Sequence, residues 1–156
     1  MDPRVNPEEK LRDLDLHLPA VPQAGGNYVP YKRVGNIGYL SGVISTGASG
    51  VITGTAGADR TVEEGYAAAK ACALTHLAVL NQQLGSLERV GEVIGVNGYV
   101  NAVAGFPDTP AIVNGASDLL VAVFGDSGRH VRAAVGVSAL PKNALVEIQM
   151  TVRILD

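Results

Sequence analysis

The sequence contains no tryptophan, only two phenylalanines and five tyrosines, so its core must be built mostly from small aliphatic side chains. Aromatic rings usually supply much of a core's buried area. Here nineteen glycines and a 47% apolar share point instead to closely approaching backbones. Basic residues are also few. Twelve Lys and Arg against fifteen Asp and Glu leave a formal net charge of -3 and a pI near 5.6. Phosphate backbones are recognised by a basic footprint, so nucleic acid is not an expected partner. Cys72 is the single cysteine, which excludes an intrachain disulfide and fits a reducing compartment. No apolar run approaches the roughly 18 residues that a membrane helix needs. The first fifteen residues mix acidic and basic side chains without the apolar stretch of a secretory leader. A soluble, cytoplasmic protein with no membrane partner is expected. At 156 residues the length fits one domain able to bury its own core.

The first 25 residues are charged and punctuated by Pro3, Pro7, Pro19 and Pro22, and read as a surface arm with a short helix over 7–16. The domain proper is expected over 26–156. Asn27–Val34 and Ile37–Ile44 read as two strands joined by Gly35-Asn36, a pair suited to a two-residue hairpin turn. Ser45–Asp59 has four glycines and no amphipathic period, and is expected to be a flexible loop. It lacks the lysine and the strand–loop–helix context of a phosphate-binding loop. Thr61-Val62-Glu63-Glu64 matches a capping box, opening a helix that Gly85 ends. Its stripe is Tyr66, Ala69, Ala73, Leu77, Leu80 and Leu84. Cys72 and His76 lie four apart on this helix, but with no further Cys or His nearby they read as a packed or solvated pair rather than metal ligands. Arg89–Asn101 reads as a strand whose Gly91, Gly95 and Gly98 leave room for a second backbone or a ligand. Pro110 suits the first turn of a second helix reaching Phe124.

Two strands close the chain around Leu140-Pro141-Lys142-Asn143. By the period-2 rule Val131, Ala133, Val135 and Val137 share one face, expected to meet the core, and Arg132, Ala134, Gly136 and Ser138 share the other. In the last strand Val146, Ile148, Met150 and Val152 alternate with Glu147, Gln149, Thr151 and Arg153. Arg132 and Glu147 are therefore expected together on the non-core face, either at a ligand site or as a cross-strand ion pair at a subunit interface. The order strand, strand, helix, strand, helix, strand, strand gives an α+β sandwich, a mixed sheet with two helices on one face. The bare face, rich in Gly, Ala and Ser, is expected to be covered in a symmetric homo-oligomer.

Several segments resemble the Rid family of reactive-intermediate imine deaminases, also called YjgF-like or L-PSP endoribonuclease-like. They are Gly26-Asn27-Tyr28-Val29, Val34-Gly35-Asn36, Leu40-Ser41-Gly42, Val113-Asn114, Val131–Val135 through Leu140-Pro141-Lys142, and Val146-Glu147-Ile148. The resemblance implies a ββαβαββ chorismate-mutase-like fold (bacillus type) and a homotrimer with its sheets forming a barrel. Ligand clefts would lie between subunits. It implies that Arg132 grips a substrate carboxylate, that Glu147 positions or activates water, and that Tyr28, Ser41 and Asn114 line the cleft. The chain departs from the deaminase branch in having Asn27-Tyr28-Val29-Pro30 around the tyrosine, Ala134 two residues after the arginine, and His130 before Val131. It is closest to a side branch carrying Gly115-Ala116-Ser117-Asp118-Leu119-Leu120. The implied reaction is hydrolysis of a 2-imino acid to a 2-keto acid and ammonia, with no metal or organic cofactor. A non-catalytic trimer that binds small carboxylates is the alternative, and endoribonuclease activity ranks below both.

Overall fold

The computed structural model describes residues 5–156; the first four residues of the expected arm lie outside the described residues. The elements are α1 (Pro7–Asp13), β1 (Tyr31–Val34), β2 (Ile37–Ile44), a ribbon of β3 (Thr46–Gly47) and β4 (Gly50–Val51), α2 (Val62–Leu84), β5 (Val90–Asn101), α3 (Thr109–Phe124), β6 (Val131–Val137) and β7 (Val146–Ile154). The main sheet runs β1-β2-β7-β5-β6, with β5 and β6 parallel and every other pair antiparallel. Helices α2 and α3 cover one face, and the mixed α+β architecture is the expected one.

Helix α2 starts where the capping box sets it. The Thr61 hydroxyl accepts from Glu64 N–H at 3.1 Å, and the Glu64 carboxylate accepts from Thr61 N–H at 3.1 Å. Gly85, at φ 84°, ends it. The inner stripe of α2 meets Val96, Val100, Ile148, Met150 and Val152 of the sheet, all essentially inaccessible. Cys72 and His76 are both fully buried. The Cys72 thiol donates to Val146 O at 3.7 Å, and His76 Nε2 lies 2.7 Å from Ile148 O. They are packed against β7 rather than solvated.

Burial holds the His76 imidazole neutral and moves its pKa from 6.5 down to about 4. The stability that this neutral group contributes is complete above pH 6.5 and is lost as the pH falls through 4, because the unfolded chain takes up the proton first. The loss amounts to roughly 3 kcal/mol for a shift of this size. Urea midpoints at pH 7 and pH 4.5 should therefore fall more steeply for the wild type than for His76→Leu. Equal falls would show that His76 does not drive the acid lability.

Three expectations are corrected. The arm is not wholly superficial: Leu11 of α1 is buried in the core, and Glu8 accepts from Ser86 Oγ at 2.8 Å and Leu87 N–H at 3.1 Å. The first strand begins at Tyr31 rather than Asn27, and in the turn after it Gly35 alone takes positive φ. Residues 45–59 are anchored rather than loose. Ser45 and Ala56 are fully buried, Ile52 N–H donates to Ser45 O at 2.9 Å, and Ala56 N–H donates to Asn101 O at 2.8 Å. At Gly98, of the two openings expected, it is a second element that approaches: helix α3 packs there, since an added Cβ would lie 2.5 Å from Val113 Cγ2.

Candidate functional site

The largest correction concerns β6. Val131 is 74% exposed and Val135 45% exposed, so the valine face does not meet the core. Register explains why. Arg132 pairs with Val96, which pairs across with Met150, and both of those are buried beneath the helices. Paired residues share a sheet face, so Arg132 lies on the helix side, at the open edge of the edge strand. Thr109 at the start of α3 donates its hydroxyl to Ala134 O at 3.1 Å, which ties that helix to β6.

From this edge the Arg132 side chain reaches α3. Its Nη1 donates to Asn114 Oδ1 at 2.7 Å and to Ser117 Oγ at 3.2 Å. Asn114 and Ser117 are three residues apart, hence neighbours on one helical face. Both Nη1 hydrogens are thereby used. The Nε–H and Nη2 hydrogens have no partner among the described residues, and they form the edge that matches a carboxylate in two parallel bonds. Ser117 Oγ in turn lies 2.9 Å from His130 Nε2, and His130 Nδ1 lies 2.6 Å from Gly128 O. Ser117, Asp118, Val121, Arg129, His130 and Arg132 line an open pocket of about 290 Å³.

Glu147 stands elsewhere. It lies on β7 between buried Val146 and Ile148, opposite Ile44 of β2 and Tyr99 of β5, and points to the open sheet face. Its carboxylate makes no hydrogen bond or ion pair among the described residues, and partial burial raises its pKa above the usual range. The β2–β7 register shifts between Leu40 and Val43, a bulge that brings Ser41 and Gly42 to this point. Gly42 leaves the carboxylate its space, since a Cβ there would sit 2.6 Å from Glu147 Oε2. Ser41 Oγ donates to Val29 O at 2.6 Å. Tyr28 is half exposed, and its hydroxyl accepts from Gly25 N–H at 3.1 Å.

Four of the five predicted site residues thus fall into two groups, while the Tyr28 hydroxyl bonds only to Gly25 among the described residues. Arg132 and Asn114 meet at the helix-side edge, while Glu147, with Ser41 beside it, faces the opposite side of the sheet. The expectation that Arg132 and Glu147 share a face is overturned. Strand β5 also separates their strands, which puts the two backbones about 9–10 Å apart. No ion pair links them within the chain. Ser117 and His130 were not among the expected site residues. The only sequence signals were Ser117 one turn after Asn114 and a histidine in an unusual position.

The sequence pattern of the family described as "YjgF/chorismate_mutase-like, putative endoribonuclease" matches residues 8–154. The chain belongs to the YjgF/chorismate mutase-like family. Within the YjgF-like family it is 42% identical over 146 residues to protein TCP17 of Trypanosoma cruzi, covering 92% of this chain and 91% of that one. The solved structure of protein Atu1372 from Agrobacterium tumefaciens is 40% identical, covers 95% of this chain and 93% of its own, and superposes with a TM-score of 0.86. RidA from Psychrobacter sp. PAMC 21119 is 27% identical over 86% of this chain and 94% of its own, with a TM-score of 0.60. The YjgF-like match begins inside α1, so the family's pattern takes in most of the N-terminal segment. Among the described residues no helix is long and apolar enough to cross a membrane.

Proposed function

We propose that the chain hydrolyses 2-imino acids to 2-keto acids and ammonia in clefts formed between neighbouring chains of a homotrimer. The observation that carries this reading is the free Nε/Nη2 edge of Arg132, presented at an open edge by two acceptors on α3. A 2-imino acid offers a carboxylate beside an electrophilic C=N carbon. With the carboxylate held in two bonds, that carbon is fixed for attack. Glu147 takes a proton from a water molecule as its oxygen adds to the carbon. Glu147 returns that proton to the imine nitrogen, giving the carbinolamine; it then passes the carbinolamine's hydroxyl proton to the amine nitrogen as the C–N bond breaks, so that the C=O bond forms and ammonia leaves. Burial raises the pKa of Glu147, which makes its carboxylate a stronger base than an exposed one. This chemistry needs Arg132 and Glu147 in one cleft, and a single chain holds them on opposite faces. Arg132 of one chain facing Glu147 of the next would complete the site. The exposed Val131, Val135 and Tyr39 on the open face supply apolar surface for that contact.

The test is direct. An amino-acid oxidase or a dehydratase generates the imine, and keto acid and ammonium are followed with and without the protein. Accelerated release is expected; an unchanged rate together with binding of 2-keto acids in thermal-shift assays would favour the carboxylate-binding reading. Ribonuclease activity has less support, because the net charge is -3.

A further inference from the structure

Arg132 does not end its hydrogen-bonded chain at Ser117. The direction of each bond follows from the groups involved. Gly128 O is a carbonyl and only accepts, so His130 Nδ1 carries the proton in the 2.6 Å contact between them. A neutral imidazole protonated at Nδ1 has its lone pair at Nε2. Nε2 therefore accepts from the Ser117 hydroxyl at 2.9 Å, and the serine oxygen turns its lone pairs toward Arg132 Nη1 at 3.2 Å. Without that acceptor the hydroxyl rotates among staggered positions, some of which aim its hydrogen at the guanidinium. Asn114 Oδ1 alone gives Nη1 one anchor, about which the side chain can swing. The second anchor fixes the plane of the guanidinium, and with it the direction of the Nε/Nη2 edge. The neighbouring charges are otherwise occupied: Arg129 pairs with Asp126 at 3.2 Å, and Asp118 accepts from the Tyr66 hydroxyl at 2.7 Å.

We propose that Ser117 and His130 are positioning residues for the carboxylate-binding Arg132, with the chain Gly128 O, His130, Ser117 holding the guanidinium so that its Nε/Nη2 edge faces the ligand. The inference rests on Arg132 being the carboxylate anchor, as above. Ser117 and His130 touch Arg132 or each other rather than the reacting atoms, so their loss acts on affinity rather than on the chemical step.

The experiment is calorimetric titration with 2-oxobutyrate and with its neutral amide, using wild type, Arg132→Ala, Ser117→Ala, His130→Leu, His130→Gln and the Ser117→Ala/His130→Leu pair. Ser117→Ala and His130→Leu should each raise Kd for the acid about five- to tenfold, the weight of one hydrogen bond, and leave the amide unchanged. Because His130 acts only through Ser117, the double variant should bind no worse than Ser117→Ala. His130→Gln, whose Oε1 accepts the serine hydroxyl, should recover most of the affinity, which a mere folding defect would not allow. In turnover assays KM should rise while kcat stays within about twofold. Wild-type affinity in Ser117→Ala and His130→Leu alongside lost binding in Arg132→Ala overturns this inference alone, as do additive losses or a collapse of kcat. Failure of the wild type to bind the acid, or indifference to Arg132→Ala, overturns the functional reading and this inference together.

Discussion

Replacing Arg132 with alanine is expected to lower kcat/KM for a 2-imino acid by about 10²- to 10⁴-fold while the chain stays folded. Two charge-assisted bonds from the Nε/Nη2 edge to a carboxylate are worth about 1.5–3 kcal/mol each, and each 1.36 kcal/mol is a factor of ten in rate. The fold should not suffer, because Arg132 is exposed. Its loss leaves Asn114 Oδ1 and Ser117 Oγ facing water rather than buried without partners. Arg132→Lys keeps the charge but lacks the planar fork, so it should restore activity only in small part. Steady-state kinetics combined with thermal melts and sedimentation separates the outcomes. Full activity in Arg132→Ala would place the carboxylate anchor elsewhere.

The largest effect on stability is expected from Gly115→Ala. At Gly115 helix α3 crosses α2 with no side chain between them. An added Cβ would overlap the Tyr66 carbonyl oxygen and lie 2.8 Å from Tyr66 C and 3.2 Å from Lys70 N. These are backbone atoms of a helix, which cannot rotate away as a side-chain tip can. Overpacking usually costs 1–3 kcal/mol, and a clash with rigid backbone belongs above that range, at about 4 kcal/mol. For a chain of this length that is a fall in Tm of roughly 10–15 °C. Since α3 carries Asn114 and Ser117, pushing it off α2 should also weaken carboxylate binding in the fraction that remains folded. An unchanged melting curve would show that the helices can part at little cost.

The sequence announced elements with local causes. The capping box at Thr61 and Glu64, the stop at Gly85, the helix start at Pro110 and the hairpin at Gly35 depend on residues within a few positions of each other, and the structure has all four. Alternation and Pro110 placed Arg132, Glu147 and Asn114 on their elements, and the resemblance to the Rid family is borne out by the family match. The face of β6 was not legible. Period-2 alternation says which residues share a face, but not which face is inside, and valine against alanine and glycine suggested the wrong one. On this edge strand the small residues Ala134 and Gly136 lie toward α3, while Val131 and Val135 are left to meet another surface. The Ser117–His130 contact was equally hidden. It spans thirteen residues and depends on the turn after α3 folding back onto that helix, which no local pattern encodes.

Subunit mixing between Arg132→Ala and Glu147→Gln tests most directly the claim that each site takes Arg132 from one chain and Glu147 from its neighbour. Each variant alone is expected to be nearly inactive. When the two are co-refolded at equal amounts, random assembly of a cyclic trimer pairs an intact arginine with an intact glutamate at about a quarter of the sites. About a quarter of wild-type activity should therefore return on mixing. Activity no greater than the sum of the two variants, in trimers shown to contain both chains, would contradict the shared cleft.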